Sequence, residues 1–161
     1  MKRNALIAAL SALLPGWFGC ASYDAKWNAA AAQPTPGSAP ADDITGARAG
    51  TWTSDADGHT GGLRAIISKK ADNQYEAHFH ATYKLWFCPC SFQITIPMQV
   101  DEDAQGWKHF EGTAALGWPW GEFSHKGSAN ATRFKSAYQS KQDQGVFEMK
   151  RPNEGRGGNG A

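Results

Sequence analysis

Two stretches of strict alternation constrain this chain more than anything else in it. In residues 75–86, YEAHFHATYKLW, Tyr75, Ala77, Phe79, Ala81, Tyr83 and Leu85 share one parity, while Glu76, His78, His80, Thr82 and Lys84 share the other. Successive side chains of a strand point to opposite faces, so this pattern predicts a half-buried strand. Residues 91–100, SFQITIPMQV, repeat it with Phe92, Ile94, Ile96, Met98 and Val100 inward. Pro97 interrupts the second stretch; without an N–H to donate it requires a strand end, an edge or a bulge. The segments 49–54, 62–68, 107–118, 122–131, 133–140 and 145–151 fit the same reading, and no window carries a helical stripe.

Short turn-forming connections join these segments, among them DADGHTGG at 55–62, the Pro119–Gly121 region and Asp143-Gln144-Gly145. Adjacent hairpins in series make an antiparallel meander, and about eight strands suffice to close a small barrel without exposed edges. The predicted fold is therefore all-β, an eight-stranded antiparallel up-and-down barrel over residues 48–151. Residues 152–161, PNEGRGGNGA, are too rich in glycine to pack and read as a disordered tail.

The N-terminal part has a different composition. Lys2 and Arg3 precede the apolar run ALIAALSALL (5–14), which is too short to span a bilayer but suits the hydrophobic region of a signal peptide. Trp17-Phe18-Gly19-Cys20 follows, and a small residue directly before a cysteine resembles the lipobox of bacterial lipoproteins. The resemblance implies a signal peptide over 1–19, a lipidated Cys20 at the mature N-terminus, and anchoring to a membrane by acyl chains. A plain signal peptide cut after Ala21 is the alternative, and both readings place the protein in the cell envelope, facing the periplasm or the exterior. Residues 20–47 contain AAAAQPTPGSAPADD; alanines permit a short helix near 24–32, but Pro34, Pro36 and Pro40 end it, and the segment reads as a flexible linker. Loss of 1–19 would shift the net charge from +1 to about −1, and with no basic run bearing interleaved aromatics, nucleic acid is disfavoured as a partner.

Gly50-Thr51-Trp52, at the opening of the first strand, resembles the G-x-W opening of lipocalin-like barrels, the avidin-like ones included. That resemblance implies a tryptophan closing one barrel end with a basic side chain from near the last strand, Arg151 or Lys150, packed over it. It names no ligand, and the family's second turn motif is absent.

Aromatic residues carry the functional expectation. Trp52, Phe79, Tyr83, Trp118, Phe134 and Tyr138 are candidate lining residues of a barrel site for a small apolar or aromatic molecule. The competing reading is that such side chains simply fill a solid core, leaving an envelope module for structural support or interaction. Trp118-Pro119-Trp120, in a turn, suits a barrel lid or a contact with a partner or membrane. Catalysis is not expected: there is no G-x-S-x-G, no phosphate loop and no H-E-x-x-H, and no cofactor is implied. His78 and His80 lie roughly 7 Å apart on one strand face, with Glu76 beside them and His109 or His125 available from neighbouring strands. Metal ligation needs three or four such groups converging, and a solvated outer face is the simpler reading, so no metal is expected. Asp55-Ala56-Asp57-Gly58-His59 opens like a calcium loop but has Ile66 at the twelfth position, which leaves a hairpin turn. Cys88-Pro89-Cys90 falls between the two best-patterned strands and reads as their connection, either with free thiols or closed by a strained local disulfide.

Overall fold

The structure, a computed structural model, describes residues 18–33, 43–85, 88–117 and 121–152. Eight strands follow one another: β1 (Gly46–Ser54), β2 (Thr60–Ala71), β3 (Gln74–Leu85), β4 (Cys88–Glu102), β5 (Lys108–Gly117), β6 (Gly121–Ala129), β7 (Arg133–Ser140) and β8 (Gln144–Lys150). Each pairs antiparallel with the next, and β1 pairs with β8 along Ala49–Ser54, which closes the barrel. The up-and-down barrel expected from the alternation is thus the fold. Parity holds across the ladders: Ala65 faces Phe79, Phe79 faces Ile94, and His125 faces Tyr138, all on the inner surface.

Inside, one half of the barrel is filled by aromatic rings. Phe110 and Phe134 stack at 4.7 Å, Phe79 meets Phe147 at 5.4 Å, and Tyr138 lies on Phe147 at 4.6 Å. The end that carries the β2–β3, β4–β5 and β6–β7 turns is closed by arginines. Arg48, fully buried, donates through Nη2 to the carbonyls of Ile44 (3.1 Å) and Asn130 (3.2 Å). Arg151 donates to the carbonyls of Ala131 (2.5 Å) and Asp43 (2.8 Å), tying the end of the last strand to the segment that enters β1. The expected lid of Arg151 or Lys150 over Trp52 does not form. Trp52 lies six residues along β1 from Gly46, the residue beside Arg151, and pairs with Phe147, whereas Lys150 is exposed opposite Ala49.

Two further expectations are corrected. The segment 20–47 is not flexible throughout, because Phe18–Ala32 forms helix α1 on the outer surface of β1, β2 and β3. Alanine's high propensity supports the helix, and it stops before Pro34, as the prolines require. It docks because Tyr23 and Trp27, four residues apart, share one helix face. Tyr23 is 1% exposed, meets the rings of His78 and His80 at 4.8 Å, and donates its hydroxyl to the His78 carbonyl. Arg64 lies between the Tyr23 and Trp27 rings and pairs with Asp24 at 2.5 Å. His78 and His80 are therefore covered by α1 and do not form a solvated strand face. Barrel pairing also begins at Gly46, slightly before the predicted boundary at 48.

The second correction concerns Cys88-Pro89-Cys90, which belongs to β4 and not to the turn. Leu85 pairs with Cys88, so the connection is Trp86-Phe87, which lies outside the described residues. Extended backbone sets the two cysteine Cα atoms about 6.6–6.8 Å apart, at the outer limit of the distance a disulfide spans. Replacement of Tyr23 by Ala removes an aromatic contact worth roughly 1.5–3 kcal/mol. The expected outcome is faster amide exchange confined to α1, with the barrel amides still protected. Exchange spreading over β1–β3 as well would mean that the helix is required for the barrel itself.

Candidate functional site

The site develops from a defect in one ladder. Among the described residues β4 and β5 pair only over Gln99–Glu102 and Lys108–Glu111, although β4 continues back to Cys88 and β5 onward to Gly117. The cause lies in the two prolines of β4. Val100 donates its N–H to the Asn73 carbonyl on the β3 side, so even-numbered β4 residues donate towards β3 and odd-numbered ones towards β5. Pro89 and Pro97 are both odd; the donors they lack belong to the β5 ladder, while pairing with β3 runs unbroken from Leu85↔Cys88 to Gln74↔Gln99. The ladder stops at Gln99↔Glu111, two residues before Pro97 would have to contribute. Of the strand end, edge or bulge that Pro97 allowed, the structure has a local edge towards β5.

Beyond that fork the inward side chains are poorly covered. Val100 is buried in the paired section and Met98 and Ile96 just past it, but farther along Ile94, Ala114 and Leu116 are half-buried and Phe92 is 39% exposed. Trp52 is half-buried on the same inner surface and Tyr83 is 37% exposed, their rings meeting edge to face at 6.2 Å. Trp52 Nε1 donates to the Thr82 carbonyl at 3.2 Å, which fixes the indole over Gly61. Inward-pointing residues stay exposed only where a barrel is open, so this half forms an apolar mouth. A depression of about 750 Å³ adjoins its rim, lined by Gly61, Tyr83, Pro89 and Cys90 among others. A larger depression of about 960 Å³ is lined by outward residues such as Lys70, Gln99, Glu111 and Lys126 and also by the inward Met98, Gly112 and His125.

The opposite sector of the same end is closed by a polar cap. Asp143 accepts hydrogen bonds from Ser54 Oγ (2.6 Å) and Tyr138 Oη (2.7 Å). Burial, followed by the neighbouring Asp143, pushes the Tyr138 hydroxyl well above the usual phenol range, so it remains a donor. Candidate lining residues therefore divide. Trp52 and Tyr83 face the mouth, Phe79 and Phe134 lie in the filled half, and Tyr138 belongs to the cap and the Phe123–Phe147 stack. Trp118, with the rest of Trp118-Pro119-Trp120, lies outside the described residues, as do the side chains of Cys20 and Cys88. Cys90 is half-buried in β4 opposite Tyr83.

The histidines do not converge on a metal. His78 and His80 point outward under α1, His109 pairs with Asp103 at 2.7 Å, and His125 points inward; no group of three metal-ligating side chains occurs among the described residues. Asp55–His59 forms the β1–β2 turn, with Asp57 accepting from the His59 amide. His125 was singled out in the sequence only as a possible metal ligand from a neighbouring strand, and the structure places it inward between Phe123 and Gly127. It is 2% exposed, and neither ring nitrogen has a hydrogen-bond partner.

Burial drives the His125 pKa down from 6.5 to about 4, so the ring is neutral at physiological pH. The unfolded chain takes up a proton near pH 6.5 and the folded barrel does so only near pH 4. Stability attributable to His125 is therefore complete above pH 6.5 and is lost as pH falls through that window, by roughly 3 kcal/mol. The His80 pKa is lowered in the same direction, by burial and then by the Arg64 charge, so wild type must be compared with a variant. Between pH 6.5 and 4.5, denaturant midpoints should fall less steeply for His125→Leu than for wild type; parallel curves would show that His125 does not titrate differently in the two states. No protein-family model, curated protein or solved structure matches this chain, so its function rests on the geometry of these residues.

Proposed function

We propose that the protein is an exported, lipid-anchored component of the cell envelope whose barrel binds a small apolar or aromatic molecule at its open half, without catalysis. The supporting observation is that aromatic and aliphatic side chains of inward parity stay uncovered where the β4–β5 ladder ends, with Tyr83 37% and Phe92 39% exposed. Apolar surface facing the inside of a barrel and left in contact with water is the usual character of a small-molecule site. Packing of Phe79, Phe110, Phe134 and Phe147 restricts a guest to the half beyond the fork. The same packing favours the second reading, a solid barrel serving as a structural or interaction module.

The anchor reading rests on Gly19-Cys20 following an apolar run, and α1 adds a geometric consequence to it. Cys20 lies three residues before the docked Tyr23, so a lipid on it would hold the barrel at the membrane surface rather than on a long tether. Mass spectrometry of the protein purified from membranes should show a diacylglyceryl-modified Cys20 at the N-terminus; an unmodified start at Ser22 would overturn the anchor.

Binding is testable with N-phenyl-1-naphthylamine, an uncharged fluorophore that brightens in apolar surroundings. Saturable enhancement is expected for wild type. Phe92→Asp, which introduces a carboxylate at a partly exposed position, should weaken it at least tenfold while leaving the melting temperature within a few degrees. Absence of saturable enhancement in wild type would leave the solid-barrel reading.

A further inference from the structure

His125 occupies the place where the filled half of the barrel meets the open half. It faces Gly112 across the β5–β6 ladder, and Gly112 is the first inward β5 residue beyond the last β4–β5 pair. A Cβ at Gly112 would lie 2.9 Å from His125 Nε2 and 2.1 Å from the Pro97 carbonyl oxygen. The imidazole thus lies over the glycine at the root of the fork, and glycine is required there for the ring and the neighbouring strand to approach so closely. The other walls are aromatic: Phe79 at 5.6 Å, edge to face, and Phe110 at 5.4 Å.

Nothing in the fold explains why this side chain is polar. Both nitrogens are buried without a hydrogen-bond partner, a condition that costs free energy and that native interiors rarely tolerate. Phenylalanine would fill the same space among Phe79, Phe110 and Phe123 at no such cost. Ser136, diagonal to His125 across the β6–β7 ladder, is 1% exposed and likewise has a hydroxyl without a partner. Two unpartnered polar side chains on the inner wall, beside a partly uncovered apolar mouth, offer hydrogen-bonding capacity to a guest.

We propose that His125 is the hydrogen-bonding anchor of the barrel site, and that the guest is an uncharged, largely apolar ring compound carrying one hydroxyl or carbonyl group. The proposal rests on the binding function above and specifies its ligand class. A neutral imidazole donates from one nitrogen and accepts at the other, so it serves either group. Charge is disfavoured because the inward residues around the opening, Trp52, Tyr83, Phe92, Ile94, Ala114 and Leu116, offer no counter-ion. Arg48, the inward cation, is engaged by carbonyls at the closed end. Entry runs through the fork above Pro97, and Ser136 lies on the adjacent strand beyond His125.

The test is displacement of N-phenyl-1-naphthylamine from the full-length protein by three ligands with one ring system: naphthalene, 2-naphthol and 2-naphthoate. In wild type, 2-naphthol should compete about three- to tenfold better than naphthalene, the range expected for one net hydrogen bond, and 2-naphthoate should be the weakest. His125→Phe should still bind naphthalene and lose the preference for 2-naphthol, whereas His125→Gln, which retains hydrogen-bonding capacity, should keep part of it. Should His125→Phe fail to fold, the ¹⁵N shifts of the wild-type imidazole decide: 2-naphthol should move them and naphthalene should not. Equal competition by naphthalene and 2-naphthol, or a ring blind to both, overturns the anchor while leaving the binding function intact. A wild-type barrel that takes up no fluorophore overturns both.

Discussion

Pairing of β1 with β8 along Ala49–Ser54 converts a meander of hairpins into a tube, and in a tube every residue commits to an inside or an outside. All other features of the molecule depend on this closure. It brings Phe79 from β3 against Phe134 and Phe147 from β7 and β8, residues more than fifty positions apart in the chain. It leaves Arg48 inside, where the carbonyls of Ile44 and Asn130 meet its guanidinium, so the closed end is made by a cation and backbone. It also converts a local lack of donors in β4 into an opening, because a gap in a closed sheet leads to the interior, whereas a gap in an open sheet leads only to another edge.

That opening follows from elementary backbone chemistry. Pro89 and Pro97 share a parity, so both lack the donor that would face β5, and β4 can be a complete partner to β3 while remaining an incomplete one to β5. Farther along, from Ile94 and Ala114 onward, the apolar inner side chains are only partly covered. Helix α1 acts on the outer face of β1–β3 in the contrary sense. It covers an outer face, places Tyr23 over His78 and His80, and holds Arg64 between two aromatic rings. One flank of the barrel is sealed twice and the other is left open.

Much of the fold is legible in the residues. The alternation in 75–86 and 91–100 specifies which side chains face inward, and the structure keeps that parity from Tyr75 to Tyr83 and from Phe92 to Val100. Helix α1 was harder to see, because its docking stripe consists of only two aromatics, Tyr23 and Trp27, in a segment dominated by alanine and proline. The site was legible in character but not in membership. Trp52 and Tyr83 line the mouth, yet Phe79 and Phe134, identical to them in parity and type, are core. Height along the barrel axis separates the two groups, and height depends on the register of neighbouring strands, which periodicity does not carry. Cys88-Pro89-Cys90 shows the same limit: its position between two strands suggested a turn, but the ladder extends through it to Leu85↔Cys88.

The sequence by itself determined strand number, side-chain parity and that Pro97 must stand at a strand end, an edge or a bulge, since alternation and a missing N–H are properties of the chain independent of its neighbours. Only the tertiary structure decided which inward residues are packed and which are left open. It alone showed that His125 is enclosed by Phe79 and Phe110 with both nitrogens unpartnered, and that α1 lies on the barrel. Those outcomes depend on register and on contacts between distant strands, which exist only once the sheet has closed.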